Sequence, residues 1–86
     1  MRHELKIWPV YYDAVMSGKK RFELRQNDRN FKIGDDLLLK EWDPETKDFT
    51  GSVFRARITY LLVGPAFGLE SDHAILSFRK LPDLGG

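Results

Sequence analysis

The chain has 86 residues, of which 42% are hydrophobic, 31% charged and 13% aromatic, a composition that fits one globular domain and excludes a disordered chain. A formal net charge of +1 lacks the basic footprint of a DNA-coating protein, and the absence of cysteine excludes a disulfide framework, a thiolate zinc site and a cysteine nucleophile. No run approaches the roughly 20 apolar residues of a membrane span, and MRHELKIW lacks the apolar core of a signal peptide, so a single cytoplasmic domain over residues 1–86 is expected.

His3 to Trp8 alternates as a short strand, with Leu5 and Ile7 on one face and Lys6 and Trp8 on the other. Pro9 suits the first turn of a helix and Gly18 its C-terminal cap. Between them Tyr11, Ala14 and Val15 share one side, which predicts an amphipathic helix over Pro9–Ser17. From Arg21 the period becomes two, and Phe22 and Leu24 are expected in the core with Arg21, Glu23 and Arg25 facing away.

Gln26 to Asn30 and Ile33 to Asp36 carry turn residues, and Leu37 to Trp42 is an apolar run of strand length. Turn residues fill Asp43 to Gly51, and Asp43 to Asp48 reads as an exposed hairpin connection. In Val53–Val63 the even positions Phe54, Ala56, Ile58, Tyr60 and Leu62 are apolar while Arg55, Arg57 and Thr59 alternate with them. A loop from Gly64 leads to a last strand over Ala74–Phe78.

One short helix cannot cover five strands, and an open sheet in so small a chain exposes long edges. Rolling the strands into a small, mostly antiparallel barrel, with the helix closing a cleft on one side, answers both problems. The expected fold is therefore α+β.

The chemistry concentrates between Lys6 and Arg25. Arg25 offers a planar donor fork for a phosphate or a base edge, and Lys20 a point charge. Glu23 accepts from a base amino group or holds the two cations in place. Trp8, beside Lys6, supplies a stacking face for an unpaired base, and Tyr12 a second aromatic at the cleft rim. By spacing alone the same residues also describe a helix C-terminus followed by a solvated strand face with weak ion pairs. His3 and His73 have no Cys or helical His partner at metal spacing and read as structural. No metal or other cofactor is expected.

The pattern Gly18-x-Lys20-x-x-Glu23-x-Arg25 resembles the G-x-K-x-x-E-x-R signature of ASCH domains in the PUA-like superfamily. His3-Glu4-Leu5-Lys6-Ile7, Tyr11-Tyr12, Phe22 to Arg29 and Gly34-Asp35 extend the resemblance to a small bacterial and phage branch of that superfamily without a settled activity. The resemblance implies a PUA-like barrel whose signature Lys, Glu and Arg project into a cleft, and an RNA or nucleotide partner. Some relatives are hydrolases, removing acyl groups from modified cytidine or cutting RNA. In the acyl-removing kind, the position three residues after the signature Lys looks like a nucleophilic Thr. Here it is Glu23, which removes that nucleophile and leaves Lys20 and Glu23 as the only acid–base pair of the signature. A binding module, a small hydrolase and a protein interaction module are thus the three functional readings.

Overall fold

The computed structural model describes residues 1–82. Strand β1 (Arg2–Ile7) leads directly into helix α1 (Pro9–Met16), followed by β2 (Phe22–Gln26), β3 (Asp36–Asp43), β4 (Asp48–Val63) and β5 (His73–Lys80). Pro9 opens the helix in its first turn, where a missing N–H costs nothing. Gly18, at φ +80, ends it: the backbone turns left-handed, and the amides of Lys19 and Lys20 both close on the Ala14 carbonyl. That turn carries Lys20 around the helix end toward the sheet.

The strands form one five-stranded sheet in the order β1-β3-β4-β5-β2, curled into a half-barrel with α1 beside it. Of the four pairings, β1 with β3 is parallel and the other three are antiparallel. The concave face holds the core of Leu5, Ile7, Leu37, Leu39, Phe54, Ala56, Ile58, Leu76 and Phe78, closed by Val15 from the helix. Asp43 and Asp48 pair at the end of the β3–β4 hairpin, as the turn residues there suggested.

Two strand faces differ from the sequence expectation. A register shift between Ile58 and Tyr60 resets the alternation of β4. Tyr60 is consequently 62% exposed, and Leu61 packs against the core in its place. In β2 the phase is inverted throughout: Glu23 is buried at 7% exposure, whereas Phe22 and Leu24 are 47% and 55% exposed. A period of two defines two faces but does not say which one turns inward. The pairing of Glu23 with Leu76, itself fully buried in β5, puts the carboxylate on the concave side.

The half-barrel is not closed by strand pairing, since β1 and β2 are its two free edges. Arginine side chains span the seam instead. The Arg25 guanidinium donates to the Lys6 carbonyl, and Arg29 donates to the Glu4 carbonyl. Both acceptors lie on the edge of β1 that faces away from β3, so two main-chain oxygens of that rim are satisfied by an arginine of β2 and one from the loop after it.

His3 and Asp35, which stand in two separate motifs of the sequence, form one buried contact. His3 Nε2 lies 2.8 Å from Asp35 Oδ2, the Lys32 amide donates to the same oxygen at 3.1 Å, and Phe31 packs edge-on to the imidazole. The hydrogen bond to His3 is the main cause that holds the Asp35 carboxyl below its usual pKa. Gly34, at φ +93, supplies the left-handed turn that aims Asp35 inward. This pair ties β1 to the loop before β3, away from the seam.

Candidate functional site

The inverted phase of β2 builds the site. Glu23 lies between two cations: Lys20 Nζ donates to Oε1, and Arg25 Nε lies 3.4 Å from Oε2. The Lys20 ammonium also donates to the Phe22 carbonyl. It stands 5.5 Å from the Tyr11 ring centroid and 4.9 Å from that of Phe22, close enough for attraction to both rings. Arg25 meanwhile bridges to β1 through the Lys6 carbonyl. One buried carboxylate therefore fixes the positions of a point charge and a planar donor fork at the seam.

A cleft of about 430 Å³ opens beside this trio, lined by Lys6, Trp8, Tyr11, Glu23, Arg25 and His73 among others. A second cavity of about 330 Å³ adjoins it, lined by Tyr11, Lys20, Phe22, Glu23 and Leu24. Leu24, Glu23 and Tyr11 border both. Trp8 and Tyr11 form the aromatic wall: their rings are stacked at 6.4 Å with 25° between planes, and each side chain is about half exposed.

The residues singled out from the sequence divide unevenly. Lys6, Trp8, Glu23 and Arg25 meet in the larger cleft, and Lys20 sits in the adjoining one. The Lys6 ammonium, however, leans away over the Trp42 ring, 4.6 Å from its centroid, so its main-chain carbonyl takes part in the seam more directly than its charge does. Tyr12 is elsewhere. Its ring meets Phe54 edge-on at 5.6 Å against the core, and the tyrosine at the cleft is its neighbour Tyr11. The two tyrosines thus exchange the roles their helical spacing suggested: Tyr11 falls three residues after Trp8 and shares its face.

Tyr11, expected on the apolar side of the helix, Gln26, expected in a turn, and His73, expected to be structural, also line the cleft. His73 Nδ1 lies 2.8 Å from Asp72 Oδ1, and this contact is the main cause lowering the Asp72 carboxyl below its usual pKa. Glu70, Asp72 and His73 bring one donor atom each within 4.8 Å of one another at an exposed edge, an arrangement common without any ion. Only the Trp8–Tyr11 spacing offered a sequence signal for any of them, because His73 and Gln26 reach the cleft through the β2–β5 pairing.

Fold and site together define a small α+β half-barrel with a charged, aromatic-walled cleft at its open seam. The chain belongs to the family described as a domain of unknown function, DUF3850, whose model matches residues 2–78. It is similar to the uncharacterized 12.9 kDa protein in the GpA 3' region of Escherichia phage P2, with 49% identity over 57 residues, 66% of this chain and 50% of that protein. The chain thus matches about half the length of that relative. Its fold is similar to that of hypothetical protein PH0355 in a crystal structure, with a TM-score of 0.68 at 15% identity over 94% of this chain and 100% of that one. Among the described residues no helix is long and apolar enough to cross a membrane.

Proposed function

We propose that this chain is an RNA- or nucleotide-binding module of the ASCH and PUA-like kind, and that the seam cleft takes the ligand. The observation that carries the reading is the Lys20–Glu23–Arg25 trio, held at a cleft with two stacked aromatic rings on its wall. An unpaired base stacks on an exposed ring whatever its identity, and a phosphate is met by a cation already in place. Glu23 holds the cations in this arrangement and supplies an acceptor for a base amino group.

The test is retention of single-stranded RNA and of free nucleotides at fixed low salt, with duplex RNA as competitor. Trp8→Ala should weaken binding by about 5- to 100-fold, the loss of one base stack. Lys20→Ala should lower the salt dependence by about 0.7 in slope, as expected for one phosphate contact on a single strand. Absence of binding by the parent chain to either ligand class would overturn the reading.

The direct contact of Lys20 with Glu23 favours one second reading, a hydrolase acting on a modified nucleoside or RNA with these two groups as acid and base. Product released from acylated nucleosides or RNA by the parent chain and not by Lys20→Ala would establish it, and no turnover would dismiss it.

A further inference from the structure

The two rims of the seam are not equivalent. On β1, the Glu4 and Lys6 carbonyls already accept from Arg29 and Arg25. On β2 the position of the ladder bonds identifies what faces the opening. The Asn27 amide donates to the Asp72 carbonyl and the Phe78 amide to the Arg21 carbonyl, which fixes the odd-numbered residues as those bonded to β5. Phe22, Leu24 and Gln26 therefore turn their main-chain groups to the free edge.

Two of those groups are occupied. The Phe22 carbonyl accepts from Lys20, and the Gln26 carbonyl accepts from the Asp28 amide. Leu24 stands between them, and among the described residues neither its N–H nor its C=O has a partner on that edge. Leu24 also borders both cavities of the cleft. Of Phe22 and Gln26 only the N–H is left, so among the described residues of this rim Leu24 alone presents a donor and an acceptor side by side, flanked by Glu23 and Arg25 and facing the aromatic wall.

We infer that the Leu24 main-chain N–H and C=O read the Watson–Crick edge of one unpaired base seated in the cleft. This rests on the RNA- or nucleotide-binding reading and names how that site selects its ligand. Uracil offers O4 and N3–H side by side, and adenine offers N1 and the N6 amino group, so either edge forms two parallel hydrogen bonds with a single strand residue. A base already paired in a duplex has no such edge to give, which makes the site selective for single strands. A peptide strand fits less well. It would need the carbonyls of Phe22 and Gln26 as well, and those are taken.

The experiment compares short oligouridylate and oligoadenylate with counterparts built from N3-methyluridine and N1-methyladenosine, measuring affinity for the parent chain at one low salt concentration. Methylation should weaken binding by about 5- to 100-fold, as for loss of a bidentate base contact. Equal affinity for methylated and unmethylated strands would overturn the Leu24 assignment and leave the cleft reading standing. No binding of either unmethylated strand would overturn both.

Leu24→Pro gives a second measurement. It removes the N–H that faces away from β5, at a position where an edge strand tolerates proline, and with it the leucine side chain, so Leu24→Ala, which keeps both main-chain groups, is its reference. Retained strand signal in circular dichroism with affinity reduced at least about 5-fold below that reference is the expected result. A folded proline variant that binds as the reference does would refute the assignment, and if the variant unfolds, the methylated strands decide.

Discussion

Removing the Glu23 carboxylate tests the inverted strand directly. Glu23→Ala leaves two cations without their shared partner, with the Lys20 side chain 15% and the Arg25 side chain 26% exposed. An ion pair in open water contributes about 0–1 kcal/mol, whereas removing one partner of a fully buried pair costs about 3–5 kcal/mol. A buried carboxylate whose two cations both reach water lies between those limits, so the expected loss is about 2 kcal/mol. In a domain of this size about 1 kcal/mol moves Tm by about 4–8 °C, and the melting temperature should fall by about 8–16 °C. Thermal and urea unfolding followed by circular dichroism at neutral pH measures it. Were Glu23 on a solvated face, the change would stay within about 0.5 kcal/mol. A Tm within about 2 °C of the parent would therefore refute the clamp.

Phe22→Ala and Phe54→Ala should separate widely although both remove the same ring. The fully buried Phe54 should cost about 3–5 kcal/mol and the half-exposed Phe22 about 1 kcal/mol in urea unfolding; equal losses would place Phe22 back in the core. For Asp35, the His3 hydrogen bond lowers the folded-state pKa below that of the unfolded chain. Its contribution is therefore complete above the ordinary carboxylate pKa of about 3.9 and disappears as pH falls through the lower folded value. Asp35→Asn should accordingly be less stable than the parent at pH 7, with the gap narrowing below about pH 4; a gap unchanged from pH 7 to pH 2 would contradict this. The double variant Lys20→Met, Glu23→Leu keeps the net charge and should recover most of the stability lost in Glu23→Ala, to within about 1 kcal/mol of the parent.

Much of the fold was legible because its signals are local. Pro9 and Gly18 bracket the helix, and turn residues separate strands whose apolar positions recur at period two. What was not legible depended on long-range pairing. The alternation of β2 is as regular as that of β4, but its inward face is the charged one, and only the match of Glu23 to Leu76 decides that. The register shift after Ile58 has no marker among the residues Arg57 to Leu61. The closed barrel expected from edge protection is a half-barrel, because two arginines protect the β1 edge without a further strand. At the site, spacing alone left Lys20, Glu23 and Arg25 as a solvated charged face, and they stood out through the resemblance to the ASCH signature, while Tyr11 was masked by Tyr12, which has the same chemistry one position along.

The trio poses an energetic question that stability does not answer. Three charges occupy the concave side of β2, where the neighbouring row supplies Leu76 and Leu61, and apolar side chains there would bury surface without desolvating any ion. Replacement of a buried ion pair by hydrophobic residues is commonly neutral or stabilising, which is why the double variant should fold while Glu23→Ala suffers. If the pair is dispensable for folding, its position acquires meaning. It lies at the one place where the sheet is left open, beside the one strand residue on that rim whose main-chain donor and acceptor are both free among the described residues. A variant that keeps its stability and loses RNA retention would assign the charges to the proposed ligand. One that loses both would assign them to the seam.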